Sequence, residues 1–386
     1  MRSERSWGRS DMKYRLSDIC FYVKEKVAVS VLENTDYVST ENMIPNKGGI
    51  TTATSLPSSF KTQAYQKHDV LVSNIRPYFK KIWFSDCNGG CSNDVLVFRA
   101  KDGTDARFLY YVLADDAFFD YSTATSKGTK MPRGDKTAIM QYEVPYFDLK
   151  TQKKIARILT DIDYKITLNN NINKNLEQQL HILFIKIFNG ISTDVILGDV
   201  VDTTSGGTPS RKHTEYYENG SICWVKSKEL LGNYILDTEE HINDIALSKS
   251  SAKLLPSHSV LIAMYGATVG AHGIISKSMA CNQAVCALLC NKKYPYTYLF
   301  QIAQEQQQKL INMAVGSAQQ NISQILIKQL PLHSDISSIR KFHDLALPLH
   351  KQIEELQAEN RALSKMRDTL LPQLMSGKLD VSDIDL

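Results

Sequence analysis

Polar loops with hydroxyl, amide and basic side chains are the segments of this sequence whose residue types can bind a ligand. The loop Ala-Val-Gly-Ser-Ala-Gln-Gln-Asn at 314–321 carries four such groups, on Ser317, Gln319, Gln320 and Asn321. A carboxamide donates and accepts side by side, so Gln or Asn can bond both N6 and N7 of adenine. This loop therefore has the chemistry of a segment that binds base edges.

Two other turns in the second half of the chain carry similar side chains. One contains the run Gly-Gly-Thr-Pro at 206–209, and its candidates are Ser205, Thr208, Arg211 and Lys212. The other is the turn at 265–268, where small residues permit close backbone approach and where the candidates are Tyr265 and Thr268. Arg and Lys side chains at such places are suited to phosphate or guanine.

The corresponding places in the first half of the chain hold mostly basic residues. These candidates are Arg76, Lys80, Lys81, Lys127, Thr129, Lys130 and Arg133. Taken singly, each is equally typical of a solvated loop, because Ser, Gln, Lys and Gly are common in loops of every kind. Their recurrence at equivalent places in both halves is what favours a binding role.

Catalytic and cofactor motifs do not occur in the sequence. There is no GxxxxGK[ST] loop, no HExxH, no GxSxG and no Asn-Pro-Pro-aromatic tetrapeptide. The Gly-Gly-Thr-Pro run lacks the third glycine of a dinucleotide fingerprint, so we interpret it as a tight turn. None of the seven cysteines has CxxC spacing, and they are interpreted as small buried hydrophobes on strands. We predict no catalytic residue, no metal site and no cofactor in this chain.

Length and charge limit the class of protein further. The 386 residues suffice for two or three domains, and no apolar run approaches the length that a membrane span needs. The polar, basic start of the chain is expected to be a loose tail rather than a secretion signal, which predicts a cytoplasmic protein. The net charge of +4 is small, so any DNA contact must come from local basic patches.

A long helical pattern occurs twice, with the second copy 187 positions after the first. Apolar residues at steps of four and three predict a coiled-coil seam in each copy. The seam positions are Ile155, Leu159, Ile162, Ile166, Asn169, Asn173, Leu176, Leu180, Leu183 and Ile187, then Phe342, Ala346, Leu349, Ile353, Leu356, Asn360, Leu363, Arg367, Leu370 and Leu374. Asn173 and Asn360 coincide in the repeat and are predicted to set helix register. Pro348 and Pro372 are expected to kink the second helix or mark its ends.

The segments before the helices repeat more weakly. Leu16 and Asp18 match Leu197 and Asp199; His68 matches His258, opening a strand; Asn93 matches Asn282; and Gly128 matches Gly316. The predicted fold is α+β, with two pseudo-symmetric globular domains separated by two long antiparallel helices that form a coiled coil. The expected boundaries are a tail at 1–13, a domain at 14–150, a helix at 151–190, a domain at 191–333, a helix at 334–377 and an acidic tail at 378–386.

Taken in order, several motifs resemble the specificity subunits of type I restriction-modification DNA methyltransferases. They are LGDVVDTTSGGTPS, ICWVKSKEL, LIAMYGATVGAHG, CNQAV, AVGSAQQNIS followed by QLPL, and RDTLLPQLMSGKL. The family usually has an acidic-Gln pair before each long helix, which Asp148–Gln152 partly keeps and 335–339 does not. The first domain also lacks the Gly-Gly-Thr-Pro turn.

The resemblance implies a non-catalytic subunit that binds double-stranded DNA. Each domain would be a target recognition domain for one half of a bipartite sequence. The helices would separate the domains and dock two methyltransferase subunits that carry S-adenosylmethionine. Motor-nuclease subunits using ATP and magnesium would complete the restriction form.

Two other classes of function remain open at this point. In the first, the chain is a scaffold or adapter whose domains bind protein and do not read DNA. In the second, it is itself a catalytic DNA-modifying enzyme, which the empty motif search disfavours. DNA binding that weakens with added salt separates the leading hypothesis from the scaffold.

Overall fold

The computed structural model describes residues 13–314, 321–381 and 384. The chain divides into two compact units, one made of Met1–Ile166 with Ala362–Leu386 and the other of Thr167–Arg361. Each unit therefore combines one of the repeated domains with one section of each long helix. Among the described helices, none has the length and apolar character needed to cross a bilayer.

The first unit is an α+β domain, as the sequence predicts. Its helices are α1 (Leu16–Ile19), α2 (Ala106–Ala114), α3 (Asp116–Ala124), α4 (Lys136–Ile139) and the first part of α5 (Leu149–Phe188). Its strands are β1 (Lys13–Arg15), β2 (Cys20–Tyr22), β3 (Lys26–Ala28), β4 (Tyr37–Val38), β5 (Lys61–Tyr65), β6 (Val70–Ser73), β7 (Ile82–Phe84), β8 (Gly89–Cys91), β9 (Val95–Ala100) and β10 (Glu143–Pro145). They form an antiparallel sheet in the order β2-β9-β6-β7, a second sheet β3-β5-β8-β4 and a pair β1-β10.

The second unit repeats this plan. Its helices are the rest of α5, then α6 (Leu197–Val200), α7 (Asp244–Lys249), α8 (Tyr296–Glu305), α9 (Gln307–Met313), α10 (Gln324–Lys328) and the first part of α11 (Ile336–Met375). Its strands are β11 (Val195–Ile196), β12 (Asp202–Ser205), β13 (Ile222–Val225), β14 (Tyr234–Ile235), β15 (His241–Ile242), β16 (Val260–Ala263), β17 (His272–Ile275), β18 (Ala280–Cys281), β19 (Val285–Leu289) and β20 (Pro331–Leu332). The main sheet has the order β12-β19-β16-β17-β14, beside β15-β13-β18 and the pair β11-β20.

Central strands in both units are covered on both faces, which explains their continuous apolar runs. In β6, Val70 and Val72 face one hydrophobic cluster, whereas Leu71 between them faces another. In β16, Val260 and Ile262 are likewise separated from Leu261. Because successive side chains of a strand point to opposite faces, a strand buried on both sides needs no polar alternation.

The domain repeat predicted from short motifs is confirmed by matching hydrogen bonds. Leu16 and Leu197 both begin a four-residue helix, and their amides donate to Tyr142 O and Leu330 O at 2.7 and 2.9 Å. The amide of His68 donates to Ser85 O, and that of His258 to Ile275 O. The sequence did not indicate that both histidines have left-handed backbones, with φ of 76° and 61°.

One detail of that repeat is wrong. Asn93 was matched with Asn282, but the residue that occupies the equivalent place is Ser92. The amide of Val95 donates to Ser92 O as that of Val285 donates to Asn282 O, and both side chains accept from the amide two residues later. Ser and Asn serve equally well in such a turn, so matching by residue type shifted the alignment by one position.

The long helices follow the predicted seam closely. α5 and α11 each contain 40 residues, and none of the predicted seam positions is exposed. In the second unit, Asn169 of α5 donates to Asn360 of α11, while Phe184 packs edge-to-face against Phe342 with ring centroids 5.5 Å apart. An early residue of α5 thus meets a late residue of α11 and a late one meets an early one, so the paired sections are antiparallel.

The section of the helix pair in the first unit packs in the same direction. Ile155 and Leu159 of α5 share a hydrophobic cluster with Leu371 and Leu374 of α11. Pro348 and Pro372 were expected to kink α11 or mark its ends, and neither ends it, since the helix runs through both prolines from Ile336 to Met375. Packing along the seam outweighs the loss of one backbone hydrogen bond at each proline.

Candidate nucleic-acid interface

Two loops meet in each domain at the places where the sequence concentrates its candidates. We define the strand loop as the residues after the central strand, 74–81 in the first domain and 264–271 in the second. The helix loop follows α3 in the first domain, at 125–134, and lies after α9 in the second, where residues 314, 321 and 322 are described. A backbone bridge joins Ile75 to Arg133 in the first domain, and an equivalent bridge joins Tyr265 to Asn321 in the second. The same pair of loops therefore converges in both domains.

The strand loop of the first domain has a strained backbone. Arg76 and Lys80 flank the 3-10 turn Pro77–Phe79, and both are left-handed, with φ of 50° and 51°. In the second domain the same two positions hold Gly266 and Gly270, with φ of 71° and 79°. A left-handed backbone costs about 1–2 kcal/mol for a residue with a Cβ and essentially nothing for glycine.

A second strained turn supports the first. The amides of Asn46 and Lys47, also left-handed, donate to Phe79 O and Lys80 O, each at 2.8 Å. The ammonium groups of Lys47 and Lys80 both bind Asp116, at 2.8 and 3.0 Å. Although burial opposes ionisation of Asp116, the two lysines hold its pKa below the usual value. Asp116 therefore links the two turns through ion pairs, and the ammonium group of Lys80 is engaged in one of them.

The other basic candidates of the first domain differ in how far they are engaged. Lys127 pairs with Asp135 at 2.5 Å and Arg133 with Asp94 at 3.1 Å, yet both side chains are more than half exposed. Lys81 donates to Thr40 O at 2.6 Å, and burial lowers the pKa of its ammonium group. Thr129 and Lys130 are exposed at the tip of the helix loop.

Arg76 is the least satisfied of these residues. Its amide donates to Pro132 O at 2.8 Å, which ties the strand loop to the helix loop. Its side-chain Nε is buried and has no hydrogen-bond partner among the described residues. A buried donor left unpaired is unfavourable unless a ligand completes it.

Sequence reasoning missed the apolar side chains of this surface. Tyr78 and Phe79 are 48% and 37% exposed, and Met131 in the neighbouring helix loop is 49% exposed. The run Pro-Tyr-Phe resembles a buried strand edge in the sequence, so nothing but the backbone conformation identifies it as a protruding turn.

In the second domain the Gly-Gly-Thr-Pro run, predicted to be a tight turn, is an extended segment without a turn hydrogen bond of its own, and its glycines are packed against the protein. A Cβ on Gly206 would lie 2.0 Å from Cys281 O, and one on Gly207 would lie 2.3 Å from the carbonyl carbon of Ser251. Trp224 Nε1 donates to Gly207 O at 3.0 Å. The glycines therefore admit the close approach of neighbouring backbone.

Three of the candidates beside the Gly-Gly-Thr-Pro segment have hydrogen-bond or ion-pair partners within the domain. Ser205 Oγ donates to Gln324 at 3.1 Å, and Thr208 Oγ1 donates to Gln283. Arg211 binds Glu240 and lies 4.3 Å from the ring centre of Tyr217, but its side chain is 57% exposed. Lys212 is exposed.

The strand loop of the second domain is small and partly open. Tyr265 is 39% exposed, and Thr268 Oγ1 donates to its carbonyl oxygen at 3.1 Å. Asn321, bridged to Tyr265, is exposed. The candidates Ser317, Gln319 and Gln320 lie outside the described residues.

One group of side chains in the described part of the chain has metal-ligating types within reach of one another. Cys223 Sγ and His241 Nε2 lie 3.1 and 2.7 Å from Asp237 Oδ1, and Arg361 of α11 binds the other oxygen. Burial of Asp237 opposes its ionisation, but these donors hold its pKa well below the usual value. Since the carboxylate is already occupied by donors, the group joins α11 to the second domain as a hydrogen-bond centre.

The predicted register residues lie in the helix pair but do not pair with each other. Asn360 accepts from Asn169 at 2.9 Å and donates to Asn170 at 2.8 Å. Asn173 is 6% exposed, and its Oδ1 has no partner among the described residues. The seam asparagine facing Asn360 is therefore Asn169, which the sequence repeat does not single out.

The cysteines fit the prediction of a structural role. All seven are free, and the five on strands are buried. Burial raises the pKa of the thiols of Cys91 and Cys281 to about 12, which keeps them protonated and unreactive.

The sequence matches a family profile and several known proteins, all of them type I restriction-modification specificity subunits or domains. The profile of the type I restriction modification DNA specificity domain matches residues 10–178 and again 192–333. The MjaIX specificity subunit of Methanocaldococcus jannaschii is 25% identical over 320 residues, covering 74% of this chain and 71% of that protein. The HindI specificity subunit of Haemophilus influenzae is 22% identical, covering 96% of this chain and all of that protein.

A solved structure shows the same fold. The S subunit of a type I restriction-modification system from M. genitalium superposes with a TM-score of 0.57 at 17% identity, and the match covers 96% of both chains.

Proposed function

Because this chain belongs to the type I restriction-modification DNA specificity family, we propose that it reads a bipartite DNA target, with one domain for each half. DNA target recognition is the function that the family implies. Our proposal adds to this that each domain binds one half of the target.

The convergence of the strand loop and the helix loop, repeated in both domains, carries the proposal. A protein that reads two half-sites needs two surfaces of equivalent construction and different side chains. The bridges Ile75–Arg133 and Tyr265–Asn321 give equivalent construction. The side chains around them differ, because basic and aromatic residues line the first surface and small, hydroxyl and amide residues line the second.

The proposed contacts to phosphate come from the exposed basic residues, and those to bases from the amides and hydroxyls. In the first domain Arg76, Lys81, Lys127, Thr129, Lys130 and Arg133 are the contacts, and Lys80 holds the turn through Asp116. In the second domain the contacts are Ser205, Thr208, Arg211, Lys212, Tyr265, Thr268 and Asn321, with Ser317, Gln319 and Gln320 proposed from sequence alone. Phosphate contacts position the duplex, whereas base contacts specify the sequence.

The long helices are proposed to dock two methyltransferase subunits. Several large apolar side chains on these helices are exposed: Tyr164, Leu168, Ile182 and Ile185 on α5, and Leu345 and Met366 on α11. Exposed apolar side chains on a helix that already has a buried seam are suited to a further helical partner. Methyl transfer from S-adenosylmethionine, and cleavage driven by ATP and magnesium, are assigned to partner subunits. This chain acts as a non-catalytic subunit in the cytoplasm.

Two measurements test the proposal. Single-molecule methylome sequencing of the host should find a split adenine-methylation motif that disappears when the gene is deleted. The chain assembled with its partners should bind duplex DNA of that motif, with an affinity that falls steeply as salt is added. An unchanged methylome, or assembly with partners without salt-dependent DNA binding, would favour the protein-binding scaffold instead.

A further inference from the structure

The strand loop of the first domain and the turn at 46–47 that contacts it together hold most of the unusual backbone conformations among the described residues. Seven non-glycine residues among those described have positive φ, and four of them belong to two touching turns: Asn46, Lys47, Arg76 and Lys80. Bulky residues rarely adopt this conformation, and such strain is retained mainly where it serves a function.

Comparison with the second domain shows that the fold does not require these side chains. The second domain builds the same turn with Gly266 and Gly270 at the left-handed positions. Where the first domain exposes Tyr78 and Phe79, the second has Thr268 and the buried Val269. The first domain thus presents two aromatic rings at positions where its counterpart has none, and the aromatic residue of the counterpart loop, Tyr265, comes before the turn.

The aromatic turn is held firmly from both sides. Phe79 O and Lys80 O accept backbone hydrogen bonds from the turn at 46–47, and Asp116 binds Lys47 and Lys80 across the two turns. The Tyr78 and Phe79 rings pack on each other with centroids 4.8 Å apart. A rigid apolar projection can separate stacked bases, whereas a mobile one would fold away.

Positive charge around the rings identifies the occupant as DNA. Arg76 and Lys81 lie on either side of the turn in the sequence, and Lys130 is exposed in the neighbouring helix loop. None of the three has a carboxylate partner among the described residues, and Arg76 Nε is buried and unpaired. Lys81 Nζ lies 5.9 Å from the centre of the Phe79 ring. An apolar protein partner would be poorly matched to these basic side chains, whereas a duplex offers phosphates beside its bases.

We propose that Tyr78 and Phe79 form an aromatic wedge with which the first domain opens a base step of its half-site. The proposal rests on the DNA-reading function above and adds a mode of reading to it. Wedges of this kind partly unstack and kink a duplex, and they favour steps that deform easily, such as TA or CA. The first domain would thereby select its half-site partly by deformability, whereas the second would rely on hydrogen bonds to base edges.

The test uses the complete complex and duplexes of the motif found by methylome sequencing. 2-Aminopurine is placed in turn at each position of the half-site read by the first domain, and its fluorescence is measured with the wild-type chain. Unstacking should raise the signal at one step. The double variant Tyr78→Ala with Phe79→Ala should abolish that rise and weaken binding by about 10- to 100-fold. The salt dependence should stay unchanged, because the phosphate contacts remain.

Two controls keep this outcome interpretable. Exchanging the rings, Tyr78→Phe with Phe79→Tyr, should retain the fluorescence rise, because both positions keep an aromatic ring. The unchanged salt dependence of the double alanine variant excludes a general folding defect in that variant. Phe60→Ala removes an aromatic ring of the same domain that is 78% exposed and belongs to neither loop, and it should change nothing.

The results that would overturn the wedge differ from those that would overturn the function. If the wild type binds with strong salt dependence but no position becomes brighter, or if the double variant gives the same signal, the wedge is refuted and DNA reading stands. Loss of affinity by the double variant without any fluorescence rise in the wild type also refutes it. If the wild-type complex shows no salt-dependent binding at all, the proposed function itself fails.

Discussion

Replacing Arg76 by glycine should leave the first domain more stable than replacing it by alanine, although glycine is usually the less stable of the two in a folded chain. Arg76 has φ of 50°, a conformation that costs about 1–2 kcal/mol for a residue with a Cβ. Glycine loses about 0.5–1 kcal/mol more than alanine in backbone entropy on folding. The difference predicts that Arg76→Gly is more stable than Arg76→Ala by about 0.5–1 kcal/mol.

The alanine variant is the matched reference because both variants lose the guanidinium group and its unpaired Nε. Native-state hydrogen exchange of the β6 and β9 amides measures the opening free energy of this domain separately from the second domain. Both variants should weaken binding to the motif duplex equally, since both lose the same charge. Equal stability of the two variants, or a less stable glycine variant, would refute the claim that the turn is strained.

The second domain offers the opposite experiment. Gly266 occupies the same place with φ of 71°, and a Cβ added there would meet nothing within 4 Å. Gly266→Ala should therefore destabilise the second domain by about 0.5–1 kcal/mol through backbone conformation alone. A neutral result would show that the left-handed conformation is not required at this turn.

Three further predictions concern the second unit, each measured by hydrogen exchange or urea unfolding of the full chain. Asn360→Ala should destabilise this unit by about 1–3 kcal/mol, because the buried Asn169 amide loses one hydrogen-bond partner. The double variant Asn169→Leu with Asn360→Leu should recover part of this loss, and a double variant no more stable than Asn360→Ala would contradict the prediction. Burial lowers the pKa of His350 to about 3, so below pH 6.5, its ordinary pKa, the unfolded chain binds a proton that the folded chain does not. The free energy of unfolding of this unit should therefore be highest above pH 6.5 and fall by up to about 2 kcal/mol by pH 5. His350→Gln should reduce this pH dependence, and a variant with the wild-type pH profile would contradict the prediction. Gly206→Ala should destabilise the unit by about 1–3 kcal/mol or more, since the added carbon would lie 2.0 Å from Cys281 O. A variant as stable as the wild type would show that the backbone at 206 can move away from Cys281 at no cost.

The fold was largely predictable because its strongest signals are periodic. Apolar residues at alternating steps of four and three predict a seam along each long helix. The structure buries these positions, for example Leu159 and Leu180 on α5 and Phe342 on α11. Paired motifs such as those at Leu16 and Leu197 indicated the domain repeat, since equivalent positions keep similar residue types. Turn positions were less certain, because Ser and Asn can exchange there, as the Asn93 assignment shows.

The details of the candidate surface were less accessible to sequence reasoning. Arg76 and Lys80 have side chains that normally avoid a left-handed backbone, so no local rule predicts their conformation. The clamp by Asp116 joins segments distant in the chain, and only tertiary structure brings them together. The exposure of Tyr78 and Phe79 depends on those same contacts. Residue type located the loops, whereas the function of each side chain within them depended on long-range packing.

Exchanging one domain between relatives tests the central claim most directly. Residues 14–148 would be replaced by the corresponding domain of another specificity subunit with a different target, and the methylome of cells carrying the chimera would be sequenced. Reading by two separate domains predicts a new split motif in which only one half has changed. A motif changed in both halves, or in neither, would contradict the account.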